Sequence, residues 1–205
     1  MNAPPALIEF AKNEYALFDA SHDISHVERV WTNAQAIMDK ADTPMSDKTR
    51  EMIMYACYLH DIIDHKYVKG ADQIANVEHR LREFVTRQIG AEQANVLIAI
   101  IKNISWSSEV AGENKSLPEQ DVRRRIVQNA DWLDAIGNPG IKRCYDYGVA
   151  KYGLTGNSAI PRILAHIDDK LLKIRDRLHF AASRDMAALG HSVLESYKQE
   201  HTCSL

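Results

Sequence analysis

The stretch Leu59–His60–Asp61–Ile62–Ile63–Asp64 sets an imidazole beside a carboxylate at the end of Met52–Leu59, the longest uninterrupted apolar run in the chain. A carboxylate buried there needs a cation, a network of donors or a metal, because burying an unpaired charge is costly. A metal suits both residues at once. Imidazole nitrogen and carboxylate oxygen together match Mn²⁺, Fe²⁺, Zn²⁺ or Co²⁺, with Mg²⁺ less favoured as imidazoles accumulate. Adjacent helical residues point about 100° apart, so other elements must close the coordination sphere. His26 lies beside Val27, one turn before Val30, at the edge of an apolar stripe. Asp131 lies one turn after Val127, among Ile126, Ala130 and Leu133. Two imidazoles and two carboxylates leave positions open for water and substrate, as a catalytic metal requires. Taken singly each signal is weak, since a lone His on an apolar face is more often a core residue and a lone Asp near a helix end more often a cap. The joint pattern carries the weight.

These residues stand in three stretches: Asp23–Ile24–Ser25–His26–Val27–Glu28–Arg29–Val30, Leu59–His60–Asp61–Ile62–Ile63–Asp64–His65–Lys66, and Asn129–Ala130–Asp131–Trp132–Leu133–Asp134–Ala135–Ile136–Gly137. Together they resemble the H…HD…D signature of HD-domain phosphohydrolases. Within that superfamily they are most similar to small bacterial HD proteins, some of which act as Mn²⁺-dependent (pyro)phosphohydrolases on nucleotides. The likeness extends to Gly140–Ile141–Lys142–Arg143 and to His166–Ile167–Asp168–Asp169–Lys170–Leu171–Leu172, and runs from about residue 15 to residue 200. The resemblance implies metal ligation by His26, His60, Asp61 and Asp131, with a metal-activated water attacking phosphorus. It implies one divalent ion, Mn²⁺ first, with Fe, Co, Ni, Zn or Mg admissible. Dinuclear HD enzymes add histidines between the HD pair and the last Asp; here that interval holds only His65 and His79. That weighs against a second metal and against an HD-fold oxygenase. Trp132 departs from the subgroup, which often has Arg after the last metal Asp.

A phosphorylated substrate, with a nucleotide expected, needs positive charge near the metal. Lys66, five residues after Asp61, is placed to reach the cleft from a loop; Lys102, Arg143 and Lys170 are weaker candidates that read slightly better as solvated surface residues. Asp64, one turn after Asp61, either orients the water or accepts its proton, or else ends the helix or pairs with Lys66. Asp134, one turn after Asp131, either orients a ligand histidine from behind or caps the turn at Gly137. His22 has ligand spacing to His26 but falls at or before the helix start, so that spacing is not expected to hold. His65 reads as exposed, and His166, His179, His191 and His201 read as structural or surface residues. Trp106 is expected to pack on the domain rather than stack on a base.

The elements that must position these groups are helical, since apolar residues recur with a helical period almost throughout. Helices are expected over about 5–18, from Ser21 or Asp23 to about Ala41, from about Asp47 through Leu59, and over 71–89 and 91–104. A loop is expected over 105–118, then helices at 119–136 and 141–152 separated by Gly137–Asn138–Pro139–Gly140, one long helix through Ile160–Leu178, and a last one over 184–200. The reading is all-α, a single HD-type helical bundle over residues 1–205, with a core of about 20–137 and the helices of about 138–203 packed on it. Those C-terminal helices have apolar faces that fit either intramolecular core or a homodimer surface.

The 205 residues are 45% hydrophobic and 26% charged, which suits a globular chain. A formal charge of −3 shows no basic surplus, so no nucleic-acid polymer is expected. Cys57, Cys144 and Cys203 have no CxxC spacing and read as free thiols. The N-terminus lacks a secretion signal, and no apolar run approaches the roughly 20 residues of a membrane span, so a cytoplasmic location is expected. Two rival readings stand beside the enzyme: a metal-stabilised nucleotide-binding regulatory module without turnover, and a structural helical protein with incidental HD residues.

Overall fold

The computed structural model describes residues 1–16, 18, 22–41, 44–64, 67–112 and 121–202, with Ser108 described by its backbone alone. Among them the structure is all-α, without strands. The helices are α1 (Pro5–Tyr15), α2 (Ile24–Asp39), α3 (Asp47–Leu59), α4 (Ala71–Ile89), α5 (Ala91–Ile101), α6 (Trp106–Ala111), α7 (Val122–Asp134), α8 (Gly137–Tyr152), α9 (Ile160–Asp169), α10 (Ile174–Arg177) and α11 (Ala181–Thr202).

Local chemistry starts the helices that matter most. Asp23 caps α2, Ser46 caps α3 and Asp121 caps α7, each side chain accepting backbone N–H groups of the first turn that have no helical partner. Such caps are worth about 1 kcal/mol each. A helix as short as the 13 residues of α3 is marginal alone, so burial must hold it. Every residue of Met52–Leu59 is buried. Helices α2, α3 and α7 pack on one another, α5 backs onto α3 and α4, and α11 lies across α7 and α8. The central trio therefore carries the His and Asp residues singled out above.

Several expected boundaries shift. Helix α1 stops at Tyr15, and α2 is capped by Asp23, while Ser21 lies outside the described residues. The expected loop over 105–118 contains α6, and 113–120 lie outside the description. Gly137–Gly140, read as a stop, is instead the first turn of α8. Proline there lacks only an N–H that has no intrahelical partner. Gly137, at φ 73°, turns the chain out of α7 within two residues, and a Cβ on it would lie 3.2 Å from the Cα of Gly190 in α11. The long helix expected through Leu178 breaks after Asp169 into α9, a 3₁₀ turn at Leu171–Lys173 and α10. Ile163, Ile167, Leu171, Ile174 and Leu178 all stay buried across the break, so the apolar period gives no sign of it. The last helix begins at Ala181, earlier than read.

Gly140 has no tolerance for a side chain. A Cβ on it would sit 1.9 Å from the Ala135 carbonyl oxygen, a backbone atom. Gly140→Ala is expected to destabilise the fold by about 3 kcal/mol, at the upper end of overpacking costs. For a chain of this size that lowers Tm by roughly 6–12 °C, which a thermal melt reads directly.

Candidate metal centre and cavity

His26 stands in the first turn of α2, His60 and Asp61 in the hydrogen-bonded turn that ends α3, and Asp131 in α7. The packing of these helices brings four ligand-type atoms together. The two histidine Nε2 atoms are 3.2 Å apart. Asp61 Oδ2 lies 3.1 Å from His60 Nε2 and 3.4 Å from His26 Nε2. Asp131 Oδ1 lies 3.5 Å from His26 Nε2 and 3.6 Å from His60 Nε2. Ligand atoms held about 2.1 Å from one ion lie roughly 3.0–3.4 Å from each other, so the spacing suits a shared cation.

The second nitrogen of each ring sharpens this. His60 Nδ1 is 2.9 Å from the Cys57 carbonyl, which can only accept, so that nitrogen carries a proton. His26 Nδ1 is 2.7 Å from Asp134 Oδ2 and donates to it. In the neutral rings both Nε2 atoms then present lone pairs toward each other, and the buried Asp61 Oδ2 has no donor among the described residues. The cluster is short of positive charge. A divalent ion would supply it, and in the metal-free chain a second proton on His60 would supply part of it. His26, His60 and Asp131 form a group able to hold a metal ion, with Asp61 Oδ2 against them.

The electrostatics of the cluster agree. Burial pushes the His60 pKa down, but the Asp61 charge and the contacts with Asp131 and Asp61 override it and hold it well above the ordinary imidazole value. Burial pushes the Asp61 and Asp131 carboxyls up, and the neighbouring imidazoles override it and hold both low. A raised histidine stabilises the fold fully below about pH 6.5, and that stability is lost as pH rises through the raised value. The lowered carboxylates contribute above about pH 3.9 and lose that contribution as pH falls through their lowered values. A metal held by His60 would displace that proton. The metal-free protein is therefore expected to lose Tm on the alkaline side as His60 deprotonates, and a bound divalent ion to abolish that decline. Melts from about pH 5 to about pH 9, with and without chelator, read both slopes.

Asp134 sits behind the cluster, 3% exposed. It accepts from His26 Nδ1 at 2.7 Å, Arg29 Nε at 2.6 Å and Arg143 Nη1 at 3.4 Å. It touches a ring nitrogen remote from the four-atom cluster, so its geometry is that of a group orienting His26.

A cavity of about 680 Å³ opens over His60, Asp61 and Asp131. Asp64 lines it, whereas Lys66 and His65 lie outside the described residues. The other wall comes from α8 and α9, with Arg143 and Tyr147 on one helix and Arg162 and His166 on the other, followed by Lys170. Arg143, Lys170 and His166 thus face the cavity, correcting their reading as surface residues. Lys102 also lines it, while bonding Glu78 at 2.7 Å. His22 is 7% exposed and lines the cavity beside Asp61, a position that its place before the helix start concealed. Arg162 was missed. Its available signal was the i, i+4, i+8 spacing of Arg162, His166 and Lys170, one stripe of a helix.

Trp132 is buried, with Trp106 edge-on at 4.9 Å. Trp106 also lines the cavity, so it packs on the domain and borders the cleft at once. Lys170 Nζ stands 5.8 Å from its ring centre. His179 holds Gln128 at 2.8 Å, and His191 and His201 lie away from the cavity lining. No described helix is long and apolar enough to cross a membrane.

A family model described as "HD domain" matches residues 23–136. YpgQ of Bacillus subtilis is 29% identical over 183 residues, covering 88% of this chain and 83% of that protein. The crystal structure of YpgQ in complex with ADP matches with a TM-score of 0.69 at 28% identity, covering 97% of this chain and 96% of that one. An HD-superfamily hydrolase from Bacillus thuringiensis matches at 0.65 and 27%, covering 97% and 94%. A Lactobacillus plantarum protein matches at 0.77 over 97% and 94%, and its 21% identity bears on the fold alone.

Proposed function

The chain belongs to the HD domain family, and from that premise we propose that it is a metal-dependent phosphohydrolase acting on a nucleotide or related small phosphorylated metabolite. The observation that carries this reading is the pairing of a charge-deficient His/Asp cluster with a cationic wall in one cavity. The cluster asks for a cation, and Arg143, Arg162 and Lys170 make the facing wall positive; a phosphate group suits both. The similarity to an HD-superfamily hydrolase and to a protein crystallised with ADP supports the same substrate chemistry.

In this reading His26, His60, Asp61 and Asp131 hold one divalent ion; two imidazoles and two carboxylates suit the first-row divalents, and the resemblance to small bacterial HD proteins puts Mn²⁺ first among them. When bound, the ion supplies Lewis acidity toward phosphoryl oxygen and a more acidic water. Asp134 keeps the His26 ring turned so that Nε2 faces the cluster. Arg143, Arg162 and Lys170 bind and orient the phosphate oxygens. Asp64, on the cavity surface, orients the attacking water and takes its proton as the water oxygen bonds to phosphorus and the leaving oxygen departs. Residues 1–205 then act as one domain.

The test is incubation of Mn²⁺-loaded protein with a panel of nucleotides and sugar phosphates, with the released phosphate or pyrophosphate identified. Turnover of one class of compound supports the hydrolase. Tight nucleotide binding with no product from any member of the panel would replace it with the regulatory-module reading.

A further inference from the structure

His22 carries a buried imidazole to which the reaction above gives no task. It borders the cavity beside Asp61, and its position is built rather than incidental. Its Nδ1 lies 2.8 Å from the Tyr67 hydroxyl, and the two rings meet edge-on at 5.1 Å. Tyr67 is fixed in turn by Phe18, stacked on it at 4.3 Å, and Phe18 meets Tyr15 edge-on at 5.3 Å. The Tyr15 hydroxyl accepts the backbone N–H of Asp61 at 3.3 Å. One aromatic chain therefore sets both the backbone of Asp61 and the ring of His22.

The Nε2 edge of that ring faces the cluster without joining it. It stands 3.9 Å from Asp61 Oδ2, beyond hydrogen-bond range. The rings of His22 and His26 are 6.1 Å apart, against 5.1 Å for His26 and His60. A group bound against Asp61 from the cavity side comes within reach of Nε2. The tautomer in which Tyr67 donates to Nδ1 carries its proton on Nε2, the edge toward Asp61.

We propose that His22 is a catalytic residue of the hydrolysis, donating a hydrogen bond from Nε2 to an oxygen of the phosphoryl group under attack. This rests on the hydrolase reading above. The water oxygen bonds to phosphorus, the bond to the leaving oxygen breaks, and the water proton passes to Asp64, while His22 keeps its own proton throughout. Its contribution is a fixed donor aimed where charge grows, and Tyr67 is the positioning residue that aims it.

The experiment compares wild type, His22→Ala, His22→Gln and Tyr67→Phe, each loaded with Mn²⁺, for metal content, metal-induced Tm shift, kcat and KM. His22→Ala is expected to keep wild-type metal content while kcat falls about 100-fold and KM stays within about threefold, the size of one lost oxyanion donor. His22→Gln, which restores an N–H near the same place, is expected to recover about tenfold of that loss, and Tyr67→Phe to lie between wild type and His22→Ala. Metal content that drops in both His22 variants makes His22 a ligand or a prop for Asp61 and overturns the assignment, as does an unchanged kcat. Should His22→Ala fail to fold, His22→Gln alone decides through the same split between metal content and kcat. Absence of turnover in wild type sinks the hydrolase reading itself, whereas turnover in wild type with an unaffected His22→Ala sinks only the role of His22.

Discussion

Asp61→Ala is expected to leave the purified protein without stoichiometric divalent metal and to cut phosphate release by about 1,000-fold, equivalent to about 4 kcal/mol of lost transition-state stabilisation. The size follows from what Asp61 Oδ2 does. It lies 3.1 Å and 3.4 Å from the two ligand-type nitrogens and is a buried carboxylate oxygen with no hydrogen-bond donor among the described residues. Removing it deletes a quarter of the donor set and much of the negative charge that draws a cation into a buried site. It also removes the main opposition to the burial that pushes the His60 pKa down. Elemental analysis beside an activity assay reads both losses. Equal metal content in the variant and the wild type would place the metal elsewhere.

The second large effect is expected at Asp134, which never meets the four-atom cluster. Asp134→Asn keeps the shape but offers one acceptor oxygen where His26, Arg29 and Arg143 now share a carboxylate. His26 loses the charge that fixes its tautomer and ring angle, so metal affinity is expected to fall 10- to 100-fold, roughly the range for loss of a partner behind a ligand histidine. The fold also weakens, because the carboxylate is 3% exposed and balances cationic groups beside it. Breaking a buried pair costs about 3–5 kcal/mol, and the 40% exposure of the Arg29 side chain puts the expected loss at or below the low end. Metal titration with and without competing chelator measures the first effect, and melting of the metal-free protein measures the second. A variant with wild-type metal affinity would remove Asp134 from the site.

Asp134 and Arg143 mark where sequence reading stops. The spacing of Asp131 and Asp134 places both on α7, one turn apart, and suggests that one supports a histidine. It does not say that Asp134 also anchors an arginine from α8, because that contact needs the turn at Gly137 to fold α8 back beside α7. The sequence likewise places a break at Gly137–Gly140 where α8 already begins, since a Gly–Asn–Pro–Gly string suits a loop and a helix start alike.

The sequence by itself determined the helical class, a start of α2 at Ser21 or Asp23 and of α3 near Asp47, the central place of Met52–Leu59, and the His and Asp residues that meet at the cluster. These follow from local rules: apolar period, cap chemistry, and the need of a buried carboxylate for a counter-charge. Only the tertiary structure decided that Arg143, Arg162, His166 and Lys170 line a cavity, that His22 is set by Tyr67 beside Asp61, and that Trp132 is buried against Trp106. The physical reason is that a helix records which face is apolar but not what its polar face meets. A cationic stripe turned to solvent and one turned into a cleft carry the same periodicity, and only the packing of α8 on α7 and α11, and of α9 on α8 and α11, tells them apart.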